Sequence, residues 1–116
     1  MNLDTTFGRR LRELRREKGI SQRALADQVG IDVTYLSKLE NDRMDPPSAE
    51  TTAALARALG ADVDELSVLA GKIPTDIADL LSRDLGAVKL FRSVAGDIES
   101  KTDWQKRIGH SEEKPQ

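Results

Sequence analysis

SQRALADQVGIDVTYLSKLE, residues 21–40, is the most informative segment of this 116-residue chain. Two short helical patterns meet in it at Gly30, and each has its apolar positions on one face, as amphipathic helices require. These positions are Leu25, Ala26 and Val29 in the first pattern and Leu36 and Leu39 in the second. Gly30 can adopt the left-handed conformation that ends a helix, and Asp32 can cap the next one. The spacing predicts two helices joined by a sharp turn, which is the geometry of a helix-turn-helix.

The segment SQRALADQVGIDVTYLSKLEND (21–42) resembles the DNA-binding motif of the Cro and phage-repressor family, also called the xenobiotic-response-element family. The resemblance extends to FGRRLRELRREKGISQ (7–22) before it, and to PPSAETTAALARALG (46–60) and DVDELSVLAG (62–71) after it. It implies an all-α fold: a five-helix lambda-repressor-like DNA-binding domain over residues 1–71, with the motif at 21–40. It also implies that double-stranded DNA is the partner and that the motif's second helix enters the major groove.

The outward face of that second helix supplies the predicted base-reading residues, because Leu36 and Leu39 turn inward. They are Val33, Thr34, Ser37 and Lys38. The two hydroxyls can donate or accept hydrogen bonds, the valine can pack on a thymine methyl, and the lysine can reach guanine acceptors or a phosphate.

Five further residues are predicted to contact the DNA backbone: Gln22, Arg23, Tyr35, Asn41 and Arg43. The resemblance gives Gln22 a phosphate contact and a role in bracing the second helix. Tyr35 is equally compatible with covering the edge of the core. The resemblance also implies an ion pair between Arg15 and Glu40. The family usually has glycine at Asp42, a position where aspartate still tolerates the left-handed conformation although its charge weakens the electrostatics.

The predicted first helix, about residues 5–18, carries Arg9, Arg10, Arg12, Arg15, Arg16 and Lys18. These cations fit a nucleic-acid patch, but Glu13 and Glu17 lie within i, i+3 or i+4 reach of several of them. Apart from Arg15, the pattern favours an ordinary solvated face.

The next two helices have structural signals only. Ser48 is the predicted N-cap of a helix that ends at Gly60 and buries Ala54, Leu55, Ala58 and Leu59. Asp62 and Glu65 have the spacing of a capping box for a fifth helix, whose Val63, Leu66 and Leu69 close the domain.

Residues 72–96 are predicted to form a helical extension, with helices near 76–83 and 86–95. Its apolar side chains include Ile77, Leu80, Leu81, Val88, Phe91 and Val94, too few for an independent core. The sequence favours pairing with a second copy, which would bring two DNA-binding domains (heads) to neighbouring half-sites of one operator. Folding back onto the same chain stays open. Residues 97–116 are read as a charged, partly disordered tail.

Composition restricts the function classes. The net charge is −2; residues 1–45 carry nine Lys or Arg against eight Asp or Glu, whereas residues 46–116 carry nine against twelve. There is no cysteine, no apolar run approaches the ~20 residues of a membrane span, and the only histidine is His110. We therefore expect a cytoplasmic, nucleoid-associated protein with no membrane contact, no cofactor, no metal site and no catalytic residues.

These features together predict a sequence-specific DNA-binding transcriptional regulator, a repressor that binds a pseudo-palindromic operator as a homodimer. The alternative is an antitoxin or another interaction protein that binds a protein partner through residues 75–95.

Overall fold

The chain folds entirely into helices over residues 4–100, which are the residues that the computed structural model describes. In this range there are seven helices and no strand: α1 (Phe7–Lys18), α2 (Gln22–Val29), α3 (Val33–Glu40), α4 (Ala49–Leu59), α5 (Val63–Leu69), α6 (Thr75–Arg83) and α7 (Leu85–Ser100). The predicted all-α fold is confirmed. His110 and most of the predicted tail lie outside the described residues.

Each of the first five helices begins after a short polar residue whose side chain accepts a hydrogen bond from a backbone N–H of the first turn. These N-caps are Thr6, Ser21, Asp32, Ser48 and Asp62. Such a cap satisfies an amide that has no partner within the helix. The predicted start of α1 at Thr5 is wrong, because Thr6 has an extended backbone and caps a helix that begins at Phe7.

The core of α1–α5 is a single cluster of leucines with smaller apolar residues around them. Six leucines are between 0% and 1% exposed: Leu11, Leu25, Leu36, Leu39, Leu55 and Leu66. Complete burial of one leucine side chain contributes roughly 1.5–3 kcal/mol. The predicted inward faces of α2 and α3 are confirmed at Leu25, Ala26, Leu36 and Leu39.

The predictions for α4 and α5 are correct in outline and wrong in detail. Leu55 and Leu59 are buried as predicted, but Ala54 and Ala58 are only half-buried and Ala56 is fully buried instead. The inward face of α4 therefore centres nearer to Ala56 than the pattern predicted. Only the Asp62 half of the predicted capping box is correct, because Asp62 is the N-cap of α5. The Glu65 carboxylate, which was expected to complete the box, accepts a hydrogen bond from Arg10 Nε at 2.9 Å instead.

The described residues form two compact units that divide between Thr75 and Asp76. In the second unit, α7 continues to Ser100, beyond the predicted end at residue 95. Apolar side chains there are largely exposed, at 43% for Ile77, 46% for Leu80, 58% for Phe91 and 47% for Val94. Leu81 and Val88 of the predicted pairing set are half-buried, and Leu85 and Leu90 are exposed as well.

Candidate nucleic-acid interface

The turn between α2 and α3 is held by backbone hydrogen bonds that need a left-handed residue. Gly30 has φ +83° and its N–H donates to Ala26 O at 2.8 Å, while the N–H of Ile31 donates to the same oxygen at 3.0 Å. Asp32 Oδ1 then accepts from the N–H of Thr34 at 2.6 Å and starts α3. Because Ala26 is 1% exposed, there is no room for a larger side chain where the two helices pack.

The predicted base-reading residues differ in their exposure. Thr34 and Lys38 are exposed on α3, whereas Ser37 is half-buried and its carbonyl accepts hydrogen bonds from Asn41. Val33 is half-buried and packs against the core, as does Tyr35. The outward face of α3 therefore centres on Thr34 and Lys38, with Val33 and Ser37 at its margins.

Glu40 anchors the C-terminal end of α3 to α1 and α2. Its side chain is fully buried and accepts from Arg15 Nε at 2.6 Å and Arg15 Nη2 at 3.0 Å. Arg15 Nη1 also donates to Ile20 O at 2.9 Å. The hydrogen bond to Glu40 raises the pKa of the Arg15 guanidinium, against the opposing effect of burial. A two-bond fork of this kind fixes the orientation of both side chains as well as their separation.

The same carboxylate orients Gln22 at the N-terminus of α2. Gln22 Nε2 donates to Glu40 Oε1 at 2.9 Å and uses one of its two N–H groups. Ser21 Oγ already accepts from the N–H of Ala24. The second N–H of the Gln22 side chain and the backbone N–H groups of Gln22 and Arg23 remain suited to a phosphate oxygen, aided by the positive end of the helix dipole. Arg23, the next residue, is exposed.

The loop after α3 carries the two remaining predicted backbone contacts. Asn41 is exposed, but Arg12 Nη2 donates to its Oδ1 and its own Nδ2 donates to Ser37 O at 2.9 Å. The side chain of Asn41 is thus already oriented by the protein. Arg43 is exposed, and its N–H donates to Lys38 O at 2.9 Å.

Asp42 and Gly8 form a contact that sequence reasoning missed. Asp42 has the expected left-handed conformation, with φ +56°, and its carboxylate accepts from the N–H of Gly8 at 3.1 Å and from Thr6 Oγ1 at 2.7 Å. A Cβ at Gly8 would lie 2.2 Å from Leu39 O. The charge of Asp42 therefore stabilises the N-terminus of α1, where a carboxylate is favoured. The one signal in the sequence was a glycine inside a helical pattern, which points to close packing.

A second charge cluster joins α1 to α5. Arg10 donates to Glu13 Oε1 at 3.0 Å and to Glu65 Oε2 at 2.9 Å. Burial lowers the pKa of Arg10, but the hydrogen bonds to Glu13 and Glu65 outweigh it and the pKa is raised.

The described part of the chain has no group of three or more residues placed to hold a metal ion. None of its helices is both long enough and apolar enough to cross a membrane.

Comparison with known proteins finds the same region of the chain. Residues 6–69 match the model of a family described as a helix-turn-helix domain. The chain is 38% identical over 76 residues to a propionyl-CoA carboxylase regulator of Cereibacter sphaeroides, a match that covers 65% of this chain and 16% of that protein. It is 40% identical over 81 residues to the HTH-type transcriptional regulator DdrOP3 of Deinococcus deserti, covering 63% of this chain and 62% of that protein.

A third relative is the immunity repressor protein of Bacillus phage phi105, which is 36% identical over 61 residues, covering 53% of this chain and 42% of that protein. The chain thus spans less than two thirds of the length of each of these relatives.

Proposed function

The chain belongs to the helix-turn-helix family of DNA-binding transcriptional regulators, of the Cro and phage-repressor type, and from this premise we propose that it is a sequence-specific repressor. It binds a pseudo-palindromic operator as a homodimer and excludes the transcription machinery from the promoter. Its place of action is the cytoplasm, at the nucleoid. The name of one relative, a phage immunity repressor, supports this direction of regulation.

The observation that carries the proposal is the outward face of α3. Thr34 and Lys38 are exposed there, while the far end of the helix is fixed by the buried Glu40. A helix held rigidly at one end and exposed along one face can present its side chains to base edges in a constant register. Val33 and Ser37 contribute to the same face at its margins. A good base contact contributes about 1–3 kcal/mol of discrimination against the wrong base.

The backbone contacts position this reading face. Gln22 and Arg23, at the start of α2, contact phosphates on one stretch of the DNA backbone. Asn41 and Arg43, in the loop after α3, contact phosphates on another stretch. Tyr35, between them, contributes its hydroxyl. Such contacts set the register of the protein on the duplex without carrying sequence information.

The size of one DNA-binding domain and the exposed apolar side chains of the second unit support dimerisation. A single head reads one half-site, and two heads related by a two-fold axis read half-sites about 34 Å apart. We assign the pairing to Ile77, Leu80, Leu81, Val88, Phe91 and Val94, most of which are exposed. Because the chain has a net charge of −2, its usable affinity depends on two heads binding together.

The same exposed side chains support a second candidate, in which residues 75–95 bind a different protein, as in an antitoxin. In that case, the second unit needs its partner to cover its apolar residues, and the purified chain alone is a monomer or an aggregate. Light scattering separates the two candidates, because the homodimer has twice the mass of the 12.8 kDa chain.

Selection of bound sites from random duplex DNA tests the proposal as a whole. We expect a pseudo-palindrome bound by two chains. Thr34→Ala and Lys38→Ala should change the selected sequence, whereas Gln22→Ala should weaken binding to all sequences alike. Absence of any enriched site, with the protein folded and the helical signal intact, would refute the proposal.

A further inference from the structure

The charges of α1 are sorted onto two sides of the helix. Arg9, Arg12 and Arg16 are spaced i, i+3 and i+7, so they form a stripe along one side. Glu13 lies next to that stripe, but its carboxylate turns to Arg10 at 3.0 Å on the other side. The sequence alone favoured a mixed, solvated face. The structure instead leaves Arg9 and Arg16 exposed, with no acidic partner within 4.0 Å among residues 4–97, for which side chains are described.

The position of Arg9 is electrostatically unfavourable with respect to the helix dipole. It lies in the first turn of α1, where the positive end of the helix dipole disfavours a cation, and that turn contains no acidic residue. Arg12 adds a like charge three residues further on, which costs a few tenths of a kcal/mol in an isolated helix. Arg12 is partly accounted for by the fold, because it lies near Glu40 and donates to Asn41. The charge of Arg9 is better explained by an anionic partner.

The N-terminal half of α1 lies against the loop that is expected to follow the DNA backbone. The Asp42 carboxylate accepts hydrogen bonds from Thr6 and from the N–H of Gly8, and Arg12 donates to Asn41. Both oxygens of Asp42 are therefore directed at α1, and its charge faces that helix terminus. The arginine stripe and the loop are thus parts of one continuous surface.

We propose that Arg9 and Arg12 bind phosphates of the DNA duplex beside the half-site, extending the backbone contact of Asn41 and Arg43. The inference rests on the proposed DNA binding, whose phosphate contacts so far lie only in α2, α3 and the loop after α3. Arg12 suits this role because its guanidinium has five N–H donors. One is used on Asn41, and its Nε lies 3.8 Å from Glu40 Oε1, so three donors on the two terminal nitrogens remain.

Phosphate binding would also relieve the repulsion within the stripe. Two guanidinium groups on neighbouring turns of one helix repel each other in the free protein, and a phosphate between or beside them cancels that repulsion. This contribution to DNA affinity is independent of base sequence and decreases as the salt concentration rises, as for any neutralised phosphate.

The experiment measures the affinity of the full-length chain for its selected site as a function of salt concentration, by fluorescence anisotropy. Arg9→Ala is the main variant, since this side chain has no ion-pair partner in the described part of the chain whose loss would affect folding. Arg57→Ala is the matched control, because Arg57 is also an exposed helical arginine but lies in the last turn of α4. We expect Arg9→Ala to weaken binding to specific and unrelated DNA by the same factor. The slope of log K against log salt should become shallower by about 1 per bound chain.

Arg12 requires a second comparison, because its replacement also releases Asn41. If Arg12 acts only through Asn41, then Asn41→Ala alone and Asn41→Ala with Arg12→Ala should have the same salt slope. We expect the double variant to have the shallower slope. The inference is refuted if Arg9→Ala and Arg57→Ala leave the same slope as the unchanged chain while that chain still selects a site. If the chain without any substitution binds no DNA, the proposed function itself is refuted.

Discussion

Replacing Glu40 by glutamine tests whether the buried carboxylate holds α3 in place. The substitution keeps the shape of the side chain and removes its charge. Arg15, whose side chain is 12% exposed, then has no counter-charge at 2.6 Å. The amide can still accept one hydrogen bond, so the loss falls at the lower end of the range for breaking a buried ion pair, about 3 kcal/mol.

This loss is large for a small domain, whose total free energy of unfolding is of the order of 5–15 kcal/mol. The assay is urea denaturation followed by circular dichroism. For a slope of about 1–3 kcal/mol per M, we expect the midpoint to fall by roughly 1–3 M with the slope unchanged.

Glu13→Gln is the matched control, because it makes the same chemical change in a pair whose acidic side chain is 52% exposed. An exposed pair of this kind contributes at most about 1 kcal/mol. If Glu40→Gln shifts the midpoint no further than Glu13→Gln, then the buried pair does not anchor α3 and the argument for a rigid reading face fails.

Three further substitutions, with Gly96→Ala in α7 as a control, test the packing of α1 and α5 by thermal or urea denaturation. Gly8→Ala should destabilise the protein by about 1–3 kcal/mol, because the new Cβ meets Leu39 O at 2.2 Å. Gly96→Ala, with open space around the new Cβ, should stabilise the protein by up to about 1 kcal/mol. Equal effects of the two substitutions would show that α1 does not approach α3 so closely. Asp42→Ala should cost about 1–2 kcal/mol through the lost cap of α1, and an unchanged melting temperature would contradict that role. Ser67→Ala should be neutral or stabilising by about 1 kcal/mol, because the fully buried Ser67 hydroxyl has no hydrogen-bond partner among the residues that the structure describes. A clear loss of stability would mean that the hydroxyl is bonded.

The local features of the fold were predictable because the signals lie within a few residues of each other. Gly30 ends α2 and Asp32 caps α3, and both can be recognised from the spacing of neighbouring apolar positions. The same reasoning failed at Glu65. Its spacing from Asp62 matches a capping box, but Arg10, 55 positions away in sequence, competes for the carboxylate. A local pattern cannot include a partner that only the tertiary fold brings close.

In the candidate site too, local features were predictable from the sequence and contacts between distant segments were not. The alternation of buried and exposed positions along α3 predicted the exposure of Thr34 and Lys38, whereas Val33 and Ser37, predicted to share that face, are half-buried. It did not predict that Asp42, 34 positions after Gly8, would cap α1, nor that the acidic side chain of Glu13 would turn away from Arg9. Rotamer choice and contacts between distant segments decide these features, and neither follows from helical periodicity.

The most direct test of the central claim, that α3 reads the major groove in two half-sites, is protection of the selected DNA site from methylation by dimethyl sulfate. Guanine N7 is exposed in the major groove and adenine N3 in the minor groove. We expect two clusters of protected guanine N7 atoms about 34 Å apart on one face of the duplex, and loss of protection within each cluster for Lys38→Ala. Protection confined to adenine N3, or a single protected cluster, would contradict it.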